Sequence, residues 1–405
     1  MTTMSDPQKE SFRLSQLIYD TRYRSMTIQV IALIGFCALF AWLINNTVAN
    51  LHALGKDFNF GFLTVRSGYD INQRIIEYSS DSTHLRATMV GLLNTLLVAF
   101  LGCILATIVG VIAGVLRLSH NWLTARLMTV YIESFRNVPV LLWIIAFFAV
   151  LTESTPAPRA FRGESPEASM IFNESVAITN RGTYVPAPVW GSGSWVVVLV
   201  FLASIVGMVV FTRYARKRQE ETGDILPVLW INLAIFFLPT LLFFFAMGQP
   251  VSLNYPELKG FNFTGGIQLR NSFLALWFAL SIYTGAFIAE NVRAGILAIS
   301  KGQTEAAYAL GIRPSRNMRL VILPQAMRVI IPPLISQYLN LTKNSSLAIA
   351  VGYMDLRGTL GGITLNQTGR ELECMLLMML IYLIVSLLIS SGMNVYNRSV
   401  KLKER

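Results

Sequence analysis

Apolar residues recur along this chain in runs about as long as a bilayer is thick, and the short segments between them carry most of the charge. A helix that crosses a hydrocarbon core needs about 20 largely apolar residues. Eight stretches qualify, near 27–49, 89–116, 128–151, 195–212, 226–247, 271–292, 328–350 and 374–396. The seventh is the most interrupted: Pro332 and Pro333 open it, and Lys343, Asn344, Ser345 and Ser346 break its apolar character. Residues 51–87, the Pro- and Ser-rich 152–194 ("TESTPAPRAFRGESPEAS") and the Gly-rich 352–373 ("GYMDLRGTLGGITLNQTG") read as segments outside the spans. The pattern predicts an all-α polytopic membrane protein with about eight transmembrane helices. The first run is longer than the apolar part of a signal peptide and no small-x-small site ends it, so it reads as an uncleaved span.

Composition agrees. Of 405 residues, 54% are hydrophobic and 14% charged, with a mean hydropathy of +0.53; soluble proteins carry about 25% charged residues. A formal charge of +11 would suit nucleic acid, but its distribution is that of a topology signal. With the N-terminus inside, the inner segments hold Lys9, Arg13, Arg22 and Arg24; Arg117 and Arg126; Arg213, Arg216, Lys217 and Arg218; Arg293, Lys301, Arg313, Arg316, Arg319 and Arg328; and Arg398, Lys401, Lys403 and Arg405. That is 20 of the 33 basic residues, as the positive-inside rule requires. The outer loops are mixed in sign, Glu153, Glu164, Glu167 and Glu174 offsetting Arg159 and Arg162. Eight spans then place both termini in the cytoplasm, and nucleic acid is not needed as a partner. Cys37, Cys103 and Cys374 are scattered in or beside apolar runs and read as small packing residues. His52, His84 and His120 are equally dispersed, so neither a metal site nor a disulfide framework is expected. No His lies within a span near a nucleophile, which argues against an embedded hydrolase.

One polar segment on the inner side stands out, "EAAYALGIRPSRNMRLVILP" (305–324). Gln303 to Leu310 suits a short helix with Glu305 in its first turn, where the helix dipole favours an anion. Ala306, Ala307 and Ala309 offer a thin, close-packing face. Gly311 can take the positive φ that ends a helix, and Pro314 suits the first turn of the next. Met318, Val321 and Ile322 share one side of that second helix, and Pro324 is expected to end it before the next span. The product is a bent, cationic helical knob, a shape suited to docking in a cleft on another protein.

That segment resembles the cytoplasmic coupling loop of ABC-importer permeases: Glu305-Ala306-Ala307, three residues, Gly311, nine residues, Val321, then Leu323-Pro324. The family prefers Ile at the position of Val321. "GLLNTLLVAFLGCILATIVGVIAGVLRLS" (91–119), "YIESFRNVPVLLWI" (131–144), "YTGAFIAENVRAGILAISKGQTEAAYALG" (283–311) and "LTKNSSLA" (341–348) resemble further stretches of the amino-acid permeases, histidine/glutamine type, and most of all the longer permeases of general or polar L-amino-acid uptake systems. The resemblance covers about 87–151 and 266–396. It implies a type I importer fold with extra helices in the bacterial inner membrane, passing L-amino acids inward. The implied partners are a separate ABC ATPase subunit, a second permease subunit, since the longer members resemble one half of a heterodimer of paralogues, and a periplasmic amino-acid-binding protein. The implied organisation is 1–86 as tail, first helix and outer loop, 87–396 as permease domain with an insertion at about 152–265, and 397–405 as tail. No Gly-x-x-x-x-Gly-Lys-Ser/Thr phosphate cradle occurs in the chain, so ATP hydrolysis falls to the partner and no cofactor is expected.

Charges within spans are costly and usually functional. Glu133 lies about two turns into the third predicted span, with Arg136 one turn further and Asn137 and Pro139 following; Glu290 and Arg293 repeat the spacing in "FIAENVRAG". Lys343, Asn344 and Ser345 sit in the seventh. Two readings remain open. Each Glu–Arg pair neutralises itself and locks helices together; or Arg136, Glu290 and Lys343 border a polar channel that meets the carboxylate and ammonium of an amino acid. An ion-coupled secondary transporter or channel would use the same charges without the coupling loop.

Overall fold

The computed structural model describes residues 21–400 except 56 and 164. The basic residues of both tails, Lys9, Arg13, Lys401, Lys403 and Arg405, lie outside the described residues, as do Glu164 and the side chains of Arg22 and Arg398. Two compact units divide at Val65 and Arg66. The first holds α1 (Thr21–Ala53) and a 3-10 turn over Gly61–Thr64. Helix α1 is apolar all round and none of its apolar window is buried within the chain, Cys37 included, so hydrocarbon suits every face of it.

The second unit contains the other candidate spans. Helix α2 (His84–Arg117) is followed by α3 (Trp122–Asn137) and α4 (Val140–Glu153), then α5 (Ser194–Thr222), α6 (Val228–Ala246) and α7 (Asn271–Leu297). Next come α8 (Lys301–Ala309), α9 (Pro314–Asn317) and α10 (Leu323–Asn344), then α11 (Leu356–Gly358), α12 (Leu365–Thr368) and α13 (Glu371–Val400). Among the described residues, eight helical stretches are long and apolar enough to cross a membrane, as the hydropathy pattern predicts.

Helix α7 is the centre. Of its apolar window 72% is buried, against 33% for α2 and none for α6. The two helices lie so close that a Cβ on Gly110 would stand 2.6 Å from Cβ of Ile288, and one on Gly114 would stand 2.6 Å from the Ala289 carbonyl. Lipid gives helices no hydrophobic reason to associate, so small residues that admit close backbone approach do the work. Parallel running follows from the ends: His84 starts α2 and Arg117 ends it beside Glu290, near the end of α7. Helices two and six of an eight-span chain with fixed orientation must run parallel, so this agrees with the predicted order.

Two local expectations are corrected, and a third segment shows packing the pattern did not reveal. The predicted third span, 128–151, is two helices: α3 stops at Asn137 because Pro139 follows, and α4 alone is the apolar crossing piece. The second helix of the polar knob does not end at Pro324. It runs from Pro314 through a π-turn over Met318–Ile322 into α10, and the stretch Pro314–Val351 counts as the seventh crossing element. A proline supplies no N–H to the preceding turn, and the π-turn directly before Pro324 is where the ladder adjusts. The Gly-rich segment lies outside the crossing stretches, as expected for most of 352–373, but it is packed rather than exposed. Asp355, Leu356, Thr359 and Leu360 are each 0% exposed, and a π-turn over Thr359–Thr364 folds the segment against α2. Asn94 donates to the Met354 carbonyl at 2.9 Å, and the Leu356 N–H donates to Thr95 at 3.0 Å.

The regions flanking the α5–α6 hairpin also differ from the loops expected. They form seven short strands: β1 (Ala177–Thr179), β2 (Gly182–Val185), β3 (Ala187–Trp190), β4 (Val251–Asn254), β5 (Glu257–Lys259), β6 (Asn262–Thr264) and β7 (Ile267–Leu269). All pairings are antiparallel, in a β1-β2-β7 sheet and the ribbons β3-β4 and β5-β6. Because β2 pairs with β7 and β3 with β4, the segments before α5 and after α6 share one side of the membrane. Tyr184 and Phe263 fill the module's core, their rings 5.2 Å apart. Runs of three or four residues with a hydrophobic contribution from both segments carry no legible period in either one alone.

The α2–α7 contact gives a direct test. Gly114→Leu inserts a branched side chain where the Ala289 carbonyl and Val292 already stand, and overpacking of this kind costs about 1–3 kcal/mol. The expected result is a lower melting temperature of the detergent-solubilised protein, with Gly35→Leu, where nothing lies within 4 Å, unchanged. Equal melting for both variants would contradict the packing described.

Candidate functional site

The inner knob has the predicted bend. Helix α8 ends in the pattern left-handed glycines make: Gly311 has φ +71°, its N–H donates to the Tyr308 carbonyl at 2.9 Å, and the Ile312 N–H reaches back to the Ala307 carbonyl at 3.0 Å. Those two bonds form a Schellman close. Pro314 then opens α9. Of the predicted docking residues, Glu305, Ala306, Gly311 and Pro324 are exposed, Val321 is half-buried and Ala307 is buried. Helix α8 begins at Lys301, earlier than expected, so Glu305 falls in its second turn and the dipole argument for it lapses. The sequence reading missed the knob's apolar surface: Leu310 is 79% exposed and Leu320 67%, on a segment otherwise polar and basic.

A cluster of charges joins three helices at the end of α2 and α7. Glu290 takes Arg293 of its own helix at 2.5 Å and Arg117 of α2 in a close ion pair, and Arg136 of α3 stands at 4.0 Å. Arg117 also reaches Glu133 at 3.4 Å, and Asn137 donates to the other Glu133 oxygen at 3.4 Å. The guanidinium of Arg136 lies over the Phe287 ring, 5.5 Å from its centre. Glu290 and Arg293 therefore pair as the spacing suggests, whereas Glu133 turns to Arg117. Arg117 was legible only as an inner anchor; its role as the bridge depends on α2 and α7 meeting, which no local pattern reveals.

Lys343 stands elsewhere. Leu341 packs against Gly102 on α2, and Gly102 lies 15 residues before Arg117, about 22 Å along a helix. The structure thus brings Arg136 and Glu290 together but does not bring Lys343 to them. Lys343 instead lines a pocket of about 330 Å³ with Ser346, Arg357, Met378 and Tyr382. Ser345 is fully buried, its hydroxyl donating to the Thr342 carbonyl at 2.7 Å, and Asn344 is half-buried; neither lines the pocket. Arg357 comes from the segment read as a loop. Its guanidinium donates to the Gly361 carbonyl in the π-turn, and a Cβ at Gly361 would stand 2.8 Å from Nη1 of Arg357. Behind the pocket, buried Asp355 accepts from the Gly358 N–H at 2.8 Å and the Tyr382 hydroxyl at 3.3 Å. Burial outweighs these bonds and pushes its carboxyl up to about 6.

With these arrangements in view, relatives can be placed beside the chain. The family described as binding-protein-dependent transport system inner membrane component matches residues 222–402. The chain is 60% identical to the glutamate/glutamine/aspartate/asparagine transport system permease protein BztB of Rhodobacter capsulatus, over 100% of both chains. The chain belongs to the permease subunits of amino-acid ABC importers. It is also 44% identical to the general L-amino acid transport system permease protein AapQ of Rhizobium johnstonii, over 98% of this chain and 96% of that one. A putative amino-acid ABC transporter permease protein of Escherichia coli, YhdX, is 42% identical over 94% and 95%. Among the described residues, eight helices long and apolar enough to cross a membrane suit such a permease. Such a permease is a multi-pass component of the inner membrane, working with an ATPase and a substrate-binding protein. An ion-driven carrier, left open by the charges alone, does not belong to this family.

The ion cluster generates a double-mutant test. Arg117→Ala and Glu290→Ala each remove a partner of the same pair, so their destabilisations should fall short of additivity by about 0.5–3 kcal/mol. The measurement is melting of the single and double variants in detergent. Strict additivity would place the two side chains in separate environments.

Proposed function

We propose that this chain is the membrane-embedded subunit through which an ATP-driven importer moves L-amino acids into the cytoplasm, and that the 303–324 segment is its handle for the ATPase. The observation that carries the coupling role is the Gly311 close: it fixes α8 against the continuous stretch Pro314–Val351. A push on the knob then moves a crossing helix, because no flexible joint separates α9 from α10. Glu305, Ala306, Gly311 and Pro324, with the exposed Leu310, form the docking surface; buried Ala307 and half-buried Val321 seat the knob on its own chain. The chain carries no ATPase site of its own, and hydrolysis belongs to the partner.

Residues 87–396 form the permease domain with the 152–265 insertion, preceded by 1–86 and followed by the 397–405 tail, and both termini face the cytoplasm. That orientation is supported by the basic residues of the knob and by the strand pairing that puts both segments flanking α5–α6 on one side. A second permease, a paralogue of this one, completes the pathway, and a periplasmic binding protein delivers substrate to the strand-bearing face. Substrates are the polar amino acids named for BztB, with acidic and amide side chains. Within the pathway, the Lys343 pocket is the substrate stop, and Glu133, Arg136, Asn137 and Glu290 form the closed inner end below it. Asn344 and Ser345 shape the turn that presents Lys343.

The coupling role is tested by Gly311→Val. A β-branched residue is strained at φ +71°, so the knob should shift while the crossing helices still insert. In proteoliposomes with the ATPase and binding protein, the variant should lose uptake and binding-protein-stimulated ATP hydrolysis at least tenfold at unchanged membrane level. Normal stimulated hydrolysis would remove the knob from the coupling path.

A further inference from the structure

The pocket at Lys343 holds two cations, Lys343 at the end of α10 and Arg357 in the buried segment after it. No carboxylate is among its lining residues. The carboxylate of Asp355, behind it, is 0% exposed, and its oxygens are engaged by the Gly358 N–H and the Tyr382 hydroxyl. The pocket is thus positive on balance. Its other polar groups, the Ser346 and Tyr382 hydroxyls, can accept; Tyr382 is the stronger acceptor because its own proton is committed to Asp355.

A neutral amino acid is a zwitterion. It offers one carboxylate to two cations, so one cation loses water without gaining a partner, and leaving such a group unmatched is where selectivity comes from. An amino acid with a side-chain carboxylate offers two. Its ammonium then falls to the hydroxyls, and the space of about 330 Å³ is at the small end of ligand pockets. We propose that Arg357 is a specificity-determining residue of the permease: it receives the side-chain carboxylate of an acidic amino acid while Lys343 holds the α-carboxylate. The π-turn at Thr359–Thr364 serves this end. It turns the Gly361 carbonyl to the guanidinium, and the missing side chain at Gly361 leaves the guanidinium room to lie there. An arginine held by its backbone presents its remaining donors in a fixed fork, the geometry a carboxylate matches.

This proposal rests on the reading of the pocket as a substrate stop, and the experiment separates the two. The assembled transporter, with its ATPase, both permeases and binding protein, is reconstituted at matched membrane levels. Uptake of aspartate is compared with asparagine, and glutamate with glutamine, each pair nearly equal in shape. Arg357→Gln should lower the acid-to-amide uptake ratio by about tenfold or more, with amide uptake and stimulated ATP hydrolysis retained; Arg357→Lys should restore part of the ratio. If Arg357→Gln fails to assemble, Gly361→Ala, which displaces the guanidinium without removing it, should move the ratio the same way. An unchanged ratio, or acid and amide uptake falling together, overturns the role of Arg357. The reading beneath it is read from Lys343→Met, which should lower uptake of all four. If that variant transports normally, the pocket is not a substrate stop.

Discussion

The close contact between α2 and α7 is what the rest of the second unit depends on. Gly110 and Gly114 let the backbones meet where any side chain would strike Ile288 or the Ala289 carbonyl. Once the helices lie parallel at that distance, Arg117 has to meet Glu290, because both close the same end. At the other end, Asn94 and Thr95 of α2 hold the buried segment that carries Asp355 and Arg357. Helix α2 therefore serves both charged regions, Thr95 lying about 33 Å before Arg117 along it. In hydrocarbon an unmatched charge is expensive, so each site must be complete within the protein or be completed by what it binds. In the Glu290 cluster two carboxylates are engaged by three guanidiniums, whereas no carboxylate lines the Lys343 pocket.

That difference bears on division of labour. At the Glu290 cluster, anions and cations of three helices answer one another, and the natural role of such a set is to fix helices in one arrangement. At the Lys343 pocket two cations share a lining without a carboxylate, and on the proposed reading a ligand supplies the matching charge. On the proposed reading the first is structural closure and the second recognition, a split the spacing of Glu and Arg in "YIESFRN" and "FIAENVRAG" could not express. The seventh crossing stretch links recognition to the knob: the same continuous run from Pro314 to Val351 begins at the Gly311 bend and ends beside Lys343.

Much of this was legible in the sequence for identifiable reasons. Long apolar runs with basic inner flanks give spans directly, because the membrane imposes one length scale on all of them. The Gly311 bend was legible because only one backbone region serves that turn. Three things were not. Pro139 and Pro324 are the same residue type in apolar surroundings, yet one separates α3 from α4 and the other is absorbed by a π-turn; the outcome depends on whether the preceding turn can widen. Gly-rich 352–373 looked like loop because its hydrogen bonds go to Asn94 and Thr95, far away in sequence. The strands around α5 and α6 pair across the whole hairpin, so neither half shows a period. Arg357 and Tyr382 escaped notice for the same reason as Arg117: each matters through a neighbour brought by the fold.

Cross-linking from two positions tests the central claim most directly, that the Gly311 knob faces the cytoplasm and transmits the work of a partner ATPase. Single cysteines replace Leu310 on the knob and Phe261 on the strand-bearing face, 79% and 87% exposed, after Cys37, Cys103 and Cys374 are removed. A short bifunctional reagent is applied to the assembled transporter in membranes. The account predicts that Leu310→Cys joins the chain to the ATPase and stops uptake, and that Phe261→Cys never captures the ATPase. Capture of the ATPase from position 261, or none from position 310 in a transport-competent complex, would contradict it.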